Sequence, residues 1–502
     1  MSTLLCETVT GRSMAELIAA RDAATAADMV ELRLDGVADL DVARALEERR
    51  RPVVVTCRPE WEGGRFNGSE EERLGILARA LADGAEYVDA EWAALHGVHQ
   101  AAFTDLVRRN APRIVLSSHD FEGVPSTLDS RVRDMRGSGA GVIKVAVTAR
   151  ALTDTLPLLE VARNGDAVVV AMGAAGVASR LLATRYGSRW TYAGHAVAPG
   201  QIPASAMVDE FRFRSVGPRT RLFGVVSSNA MHSLSPMLHN AAFAAAGLDA
   251  VYVPLQTDDF DDFLQFASAL GIEGASVTIP FKGDALRAAA SADDLTRQVG
   301  AANTLRRSGE GWEATNTDVA GFLAPLEAAF ERPLRGARAA VIGAGGSARA
   351  VIVALLSRGA RVSVHARRRE QALEVTGSPG AEIGSWPVPA GSWDLLVNCT
   401  PLGGAARREE SPLPGGPFTG RLVYDLTYGA GESALLREAR EAGSATLDGL
   451  PMLIAQAERQ FEWWTGQQPA SGVMREAVYR KLHGRANHPS RATESRSHGV
   501  SL

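Results

Sequence analysis

Eight short β-rich runs alternate with stretches of helical spacing over the first 215 or so residues of this chain. No other feature limits the fold as strongly. The runs are Leu4–Val9, Met29–Leu34, Val53–Cys57, Tyr87–Glu91, Ile114–Ser118, Gly141–Val147, Ala167–Ala171 and Thr191–Ala196. Between them lie Ala/Leu/Arg-rich segments such as Glu70–Asp83 and Leu152–Arg163. Parallel strands need such crossovers, and eight units in about 200 residues fit a closed (β/α)8 barrel. An open doubly wound sheet is the alternative. A barrel would place chemistry at the C-terminal ends of its strands.

The alternation then breaks. Arg214-Ser-Val-Gly-Pro-Arg-Thr-Arg221 reads as a linker. A second α/β segment starts at Leu222 and runs through Val251–Leu255 and Ala275–Ile279. A third starts at Arg338 and continues through Arg361–Val364, Asp394–Val397 and Leu422–Leu426. Late helices follow near Met452–Thr465 and Gly472–Leu482. The expected order is a barrel over 1–215, an α/β domain over 220–325 and a Rossmann-type domain over 326–449. Helices within 450–483 would pack back on the middle domain, and 484–502 would form a disordered tail. With 502 residues the chain is too long for one core.

A net charge of −5 gives no reason to expect nucleic acid or an anionic membrane as partner. No apolar run is long enough to span a bilayer, and no basic-hydrophobic leader is seen. Cys6, Cys57 and Cys399 are isolated, so a reducing, cytoplasmic setting without a metal site is expected.

Of the 53 basic side chains only Lys144, Lys282 and Lys481 are lysine. Arginine stays protonated and cannot form an imine, whereas lysine can attack a carbonyl or relay a proton. Lys144 ends Gly-Val-Ile-Lys and Lys282 ends Ser-Val-Thr-Ile-Pro-Phe-Lys, both short apolar strands.

Around Lys144, polar residues cluster at strand ends. Glu31 and Arg33 lie in Val-Glu-Leu-Arg-Leu-Asp35, and Arg58 and Glu62 in Thr-Cys-Arg-Pro-Glu-Trp-Glu-Gly-Gly64. His119 lies in Leu-Ser-Ser-His-Asp-Phe121, and Arg180 in Val-Ala-Ser-Arg180. Alternation aims Glu31 and Arg33 to the same, inward face. A crowd of arginines and desolvation would free the lysine amine. His119 could then remove a proton made acidic by an iminium. An ion-pair network closing the barrel mouth is the other use for these residues.

Together with Ala-Pro-Gly-Gln201, these motifs resemble type I 3-dehydroquinate dehydratase over Leu4 to Phe213. The resemblance implies that Lys144 forms a Schiff base with 3-dehydroquinate, with His119 as base and then acid, oriented by Glu62. It further implies that Arg180 and Gln201 bind the substrate carboxylate, and that Glu31, Arg33 and Arg58 hold ring hydroxyls. Val197 stands where bacterial members often carry a serine.

In the middle segment, Met-His-Ser233-Leu-Ser235-Pro is both a helix N-cap signature and a pair of hydroxyls suited to a carboxylate. Lys282 and Asp318 could form a proton relay or a buried salt bridge. Farther on, Val-Ile-Gly343-Ala344-Gly345-Gly346-Ser347-Ala348 follows an apolar strand and opens a helix, as a dinucleotide loop requires. The next strand ends in His365-Ala366-Arg367-Arg368-Arg369, with no carboxylate before Glu370. Arginines there suit a 2′-phosphate, so NADP is the expected cofactor.

From Leu222 to Leu482 the chain resembles shikimate dehydrogenase. The motifs are Ser-Leu-Ser-Pro, Val-Thr278-Ile-Pro-Phe-Lys, Ala-Asn303-Thr-Leu, Asn-Thr-Asp318-Val-Ala-Gly, the glycine loop, Asn398-Cys-Thr400-Pro-Leu-Gly, Val-Tyr-Asp-Leu-Thr-Tyr428 and Pro-Met-Leu-Ile-Ala-Gln456. The resemblance implies that Ser233 and Ser235 bind the substrate carboxylate. Thr278, Asn303 and Gln456 would hold hydroxyls, and Lys282 with Asp318 would be catalytic. Thr400 and Tyr428 would join the glycine loop and the arginines at the cofactor. Together the halves predict a bifunctional enzyme of aromatic amino-acid biosynthesis acting on small hydroxylated cyclic carboxylates. A metabolite sensor keeping both folds, and a C-terminal quinate dehydrogenase, are the rival readings.

Overall fold

The computed structural model describes residues 3–483 except 98, 196–199, 310 and 377–379. The expected tail at 484–502, the end of the eighth predicted strand at Ala196, and Val197 therefore lie outside the described residues. Two compact units, 1–315 and 316–502, divide the chain.

The first unit opens with eight parallel strands: β1 Leu4–Val9, β2 Met29–Arg33, β3 Val53–Thr56, β4 Tyr87–Glu91, β5 Ile114–Asp120, β6 Val142–Thr148, β7 Ala167–Met172 and β8 Trp190–Gly194. Their order is β7-β6-β5-β4-β3-β2-β1-β8, a nearly closed barrel. The seam between β7 and β8 is bridged by Ser188 and Arg189. The Arg189 amide donates to Ala167 O at 2.9 Å, and the Val169 amide donates to the Ser188 hydroxyl at 3.1 Å.

Alternation decides what fills the barrel. Cys6, Met29, Val54, Val115, Val142, Val168 and Trp190 form a dry inner plug. Two residues farther along β1–β6, the same inward faces carry Thr8, Glu31, Thr56, Ser117 and Lys144. The polar layer thus sits on an apolar floor. The predicted helix over Leu152–Arg163 is instead a 3-10 turn, Thr153–Thr155, followed by helix Pro157–Ala162. Pro157, which lacks a backbone donor, sits in the first turn, where none is needed.

The rest of this unit is a mixed sheet of β9 Arg221–Ser227, β10 Ala250–Gln256, β11 Ile272–Val277, β12 Ser291–Ala292, β13 Thr304–Ser308 and β14 Gly311–Thr315. Its order is β10-β9-β11-β13-β14-β12, with β13 antiparallel to both neighbours. The stretch read as a linker is pinned: Arg214 pairs with Asp28 at 2.6 Å, and the Thr220 hydroxyl donates to Asp249 at 2.6 Å. Asp262 fastens the sheet to the barrel. Its buried carboxylate accepts from the Leu152 and Thr153 amides, the Thr153 hydroxyl and the Thr257 hydroxyl at 2.6–2.9 Å. Barrel and mixed sheet are thus one unit. Sequence reading missed this because the joining contacts are tertiary.

The second unit begins at Asn316, so the expected boundary at 325/326 falls inside helix Asp318–Ala329. Its sheet is parallel throughout: β15 Arg338–Ile342, β16 Arg361–His365, β17 Ala381–Ile383, β18 Leu395–Asn398, β19 Leu422–Asp425 and β20 Ala445–Leu447. The order β17-β16-β15-β18-β19-β20 is doubly wound, with the switch point at β15. Helix Leu450–Thr465 crosses helix Asp318–Ala329 at Gly321, where a Cβ would lie 2.7 Å from that of Gln456. Among the described residues no helix is long and apolar enough to cross a membrane.

Candidate active sites

A cavity of ≈ 210 Å³ opens at the C-terminal end of the barrel. Lys144, His119, Glu31, Arg33, Arg58, Glu62, Arg180 and Gln201 all line it. Sequence reasoning drew these residues from six separated segments, and the barrel gathers them.

Lys144 is buried on β6. Its Nζ donates to Asp89 Oδ2 at 2.9 Å and Glu31 Oε1 at 3.4 Å, and lies 4.3 Å from the centre of the Tyr192 ring. Its polar contacts are therefore carboxylates, where the sequence led us to expect a crowd of arginines. The arginines stand one shell back. Arg58 donates to Asp89 at 2.9 Å, Glu91 at 2.8 Å and the Ser117 hydroxyl at 2.8 Å. Arg73 lies wholly buried between Glu91 and Glu70. Burial resists the ionisation of Asp89, but Arg58 and then Lys144 hold its carboxyl well below the usual range. Burial likewise resists ionisation of Glu31, which Lys144 and then Arg33 keep low. Glu31 also accepts the Thr8 and Thr56 hydroxyls at 2.8 and 2.9 Å. Burial pushes the Tyr192 phenol well up, so a neutral ring faces the ammonium.

His119 is the next-to-last residue of β5, two positions beyond Ser117 on the same face. Glu62 Oε1 accepts the His119 amide at 2.9 Å and sits 3.2 Å from Nδ1. Burial, and next the Arg58 charge, push the imidazole down to about 4, with the Glu62 contact opposing them. The ring is therefore neutral near pH 7. With Nδ1 donating to Glu62, Nε2 is the acceptor. Arg180 is buried, and its Nη1 donates to Tyr192 O at 3.2 Å. Burial alone pushes its guanidinium down to about 10, which a bound carboxylate would reverse. Arg33 makes a two-point pair with Asp35, both contacts at 2.8 Å.

Asp89, Glu91, Ser117 and Arg73 were missed. A signal existed for the first two: Tyr87-Val-Asp89-Ala-Glu91 puts both acids on one face with Tyr87, the parity used to find Glu31.

In the mixed sheet, Ser235 opens helix Ser235–Ala245 and is buried. The expected hydroxyl cap does not form. Leu234 is the N-cap residue, and the Ser233 hydroxyl accepts the Ser235 amide at 3.2 Å instead. Lys282, buried, begins helix Lys282–Ala288, and its carbonyl accepts the Ala302 amide at 2.8 Å beside buried Asn303. The Thr278 amide donates to Val226 O at 3.2 Å at the end of β9. In the second unit Asp318 is buried in the first turn of its helix, where the positive end of the helix dipole favours a carboxylate. The Gly321 crossing with Gln456 lies three residues along the same helix face.

The glycine loop follows β15. Gly343 has φ +108°, open to glycine at little cost, and packs against Cys399 and Thr400. A Cβ on Gly345 would meet nothing within 4 Å, leaving the backbone bare ahead of helix Gly346–Ser357. Buried Ala348 allows that helix to approach the sheet. Past β16, Arg367 and Arg368 are exposed. A bare loop at a helix N-terminus and two open guanidiniums fit a dinucleotide carrying an extra phosphate.

A barrel mouth lined by a buried lysine and a histidine, followed by a doubly wound sheet with a glycine loop, is the arrangement of a lyase joined to a nicotinamide oxidoreductase. Residues 5–218 match the model of type I 3-dehydroquinase, 225–305 that of the shikimate dehydrogenase substrate binding domain, and 449–479 that of the shikimate 5′-dehydrogenase C-terminal domain. The chloroplastic bifunctional 3-dehydroquinate dehydratase/shikimate dehydrogenase of Arabidopsis thaliana is 31% identical over 92% of this chain and 82% of its own. The NADP(+) shikimate dehydrogenase of Synechocystis is 36% identical over 53% of this chain and 98% of its own. The Thermus thermophilus shikimate 5-dehydrogenase, solved with NADP(H) and shikimate, is 33% identical. It covers 52% of this chain and all of its own, with TM-score 0.47. This chain belongs to the family of bifunctional 3-dehydroquinate dehydratase/shikimate dehydrogenases.

Proposed function

We propose that the chain dehydrates 3-dehydroquinate to 3-dehydroshikimate and then reduces that ketone to shikimate with NADPH. The observation that carries the first half is Lys144 and a neutral His119 lining one buried cavity.

Lys144 gives up a proton, its free amine attacks the substrate ketone, and the carbinolamine hydroxyl takes that proton and leaves as water, so that an iminium takes the place of the ammonium. Nζ carries +1 before and after this exchange, and Asp89 and Glu31 remain its counter-ions. The iminium acidifies the adjacent C–H, and His119 Nε2 takes that proton. It then returns it to the departing hydroxyl, and water hydrolyses the product imine. Glu62 holds the imidazole in the tautomer this needs. Arg180 and Gln201 bind the carboxylate, while Glu31, Arg33 and Arg58 bind ring hydroxyls.

For the reduction, Ser233 and Ser235 bind the carboxylate, and Thr278, Asn303 and Gln456 the hydroxyls. Lys282 gives a proton to the ketone oxygen, and Asp318 is the second catalytic group. Bound NADPH supplies the hydride. Gly343, Ala344, Gly345, Gly346, Ser347 and Ala348 receive the pyrophosphate, Arg367 and Arg368 the 2′-phosphate, and Thr400 and Tyr428 complete the cofactor face. Domain assignments follow: dehydratase barrel over 1–215, substrate-binding domain over 220–325 with helices from 450–483, and NADP domain over 326–449. Cys6, Cys57 and Cys399 form no disulfide, which supports a reducing, cytoplasmic setting.

A coupled assay tests the whole. With 3-dehydroquinate and NADPH, nicotinamide absorbance should fall. Lys144→Ala should fail from 3-dehydroquinate yet reduce 3-dehydroshikimate, and Lys282→Ala should still make 3-dehydroshikimate. Loss of both steps in either variant, or no turnover by the parent chain, would refute the proposal.

A further inference from the structure

One buried carboxylate at the nucleotide end of the parallel sheet has no part in the chemistry above. Asp425 ends β19 and is fully buried. Its Oδ1 accepts from Asn398 Nδ2 at 2.9 Å and from the Thr427 amide at 3.0 Å. Its Oδ2 accepts the Ser433 hydroxyl at 2.6 Å, and Ser433 in turn caps helix Ala434–Glu441. Asn398, at the end of β18, continues the chain of bonds. Its Oδ1 accepts the Thr400 amide at 2.9 Å and the Thr400 hydroxyl at 2.7 Å, and its Nδ2 also donates to Leu402 O at 2.9 Å. Two side chains thereby fix the loops after both strands.

Sheet order says which part of a dinucleotide these loops face. Arg367 and Arg368 follow β16, on one side of β15, whereas β18 and β19 lie on the other. A dinucleotide spans the switch point. If the arginines take the 2′-phosphate end, the loops after β18 and β19 take the nicotinamide half, which NADPH and NADH share.

We infer that Asp425 is a positioning residue for the nicotinamide half: it sets Thr400 through Asn398 and Tyr428 through Thr427. This rests on the NADP assignment above. Burial raises the Asp425 pKa, and the bonds from Ser433, Thr427 and Asn398 oppose that rise. The carboxylate is needed because it alone accepts from both loops and the helix cap together. Asparagine keeps the accepting oxygen toward Asn398 and Thr427, whereas leucine keeps neither.

The test is the affinity of the purified full chain for NADPH and for NADH, read by nicotinamide fluorescence, with hydrogen exchange on the ligand-free protein. Asp425→Leu should weaken both nucleotides by the same factor, about tenfold or more, and speed exchange at the Thr400 and Thr427 amides. Asp425→Asn should restore most of the affinity. Ser433→Ala, losing one donor, should give a smaller loss of the same kind, and it stands in should the leucine variant not fold. Parental affinity for both nucleotides in Asp425→Leu or Ser433→Ala would overturn the inference while leaving the NADP assignment intact. A loss confined to NADPH would also overturn it. A parent chain that binds neither nucleotide would sink the NADP assignment itself.

Discussion

At the barrel mouth, Glu31, Lys144, Asp89, Arg58, Glu91 and Arg73 form a buried chain in which each side chain pairs with the next, and burial pushes the Glu91 carboxyl up to about 7. At the nucleotide end of the parallel sheet the buried polar core is Asn398, Asp425 and Ser433, with one carboxylate among neutral donors. The difference follows the chemistry proposed for each place. A lysine that starts as an ammonium and becomes an iminium is positive at both ends of the exchange and needs fixed counter-ions. A cofactor pocket needs accurately held backbone and hydroxyls, and keeps its charges, Arg367 and Arg368, at the rim. The first arrangement is expensive to disturb, because a buried ion left alone has no water to turn to. The second should lose affinity in smaller steps.

The largest effect should come from the base. His119→Ala should lower dehydratase kcat by about 10²–10⁴-fold and leave reduction of 3-dehydroshikimate unchanged. With the imidazole pushed down to about 4, parental dehydratase kcat/KM should hold through pH 6 and fall only as pH drops toward that value. Stability should carry the same sign. The folded value lies below the ordinary 6.5, so the unfolded chain binds this proton first. His119 therefore favours the fold above 6.5, and that contribution fades as pH falls toward 4. His119→Phe should flatten this part of a urea-melt pH series. A profile breaking near 6.5 instead would contradict a desolvated imidazole.

Next in size is the ion network. Arg73→Met leaves Glu91 with Arg58 alone and should cost about 3–5 kcal/mol in urea unfolding. Arg79→Met, on the same helix but in an exposed pair with Asp83, should be silent. Equal effects would erase the contrast between buried and rim charge. Smallest is the rim of the nucleotide site. Arg367→Ala with Arg368→Ala should weaken NADPH about 10–100-fold and NADH little. Matching losses would remove the 2′-phosphate clamp.

How much of this was legible beforehand follows from the same physics. Period-two alternation put Glu31 and Arg33 on one inward face of β2, while His119 and Lys144 stood out as polar residues at the ends of apolar strands. The turn and strand context of Gly343–Ala348 marked the nucleotide loop. Arg73 was hidden because Glu70-Glu-Glu-Arg-Leu-Gly reads as a charged helix surface. Only its packing over Phe103 and beside Glu91 buries it. Asp262 was hidden for a like reason: a helix-face aspartate shows its four acceptor contacts only once the barrel turn at Leu152 and Thr153 is brought to it. Alternation and turn chemistry are local, and they found the strand-borne residues. Networks that join elements distant in sequence were not visible.

Trapping the imine tests the central claim most directly. Borohydride added during turnover of 3-dehydroquinate should leave one reduced adduct, on the tryptic peptide containing Lys144, and inactivate the dehydratase in proportion. Rapid turnover with an unmodified Lys144 peptide, or an adduct on Lys282 or Lys481 instead, would contradict the account.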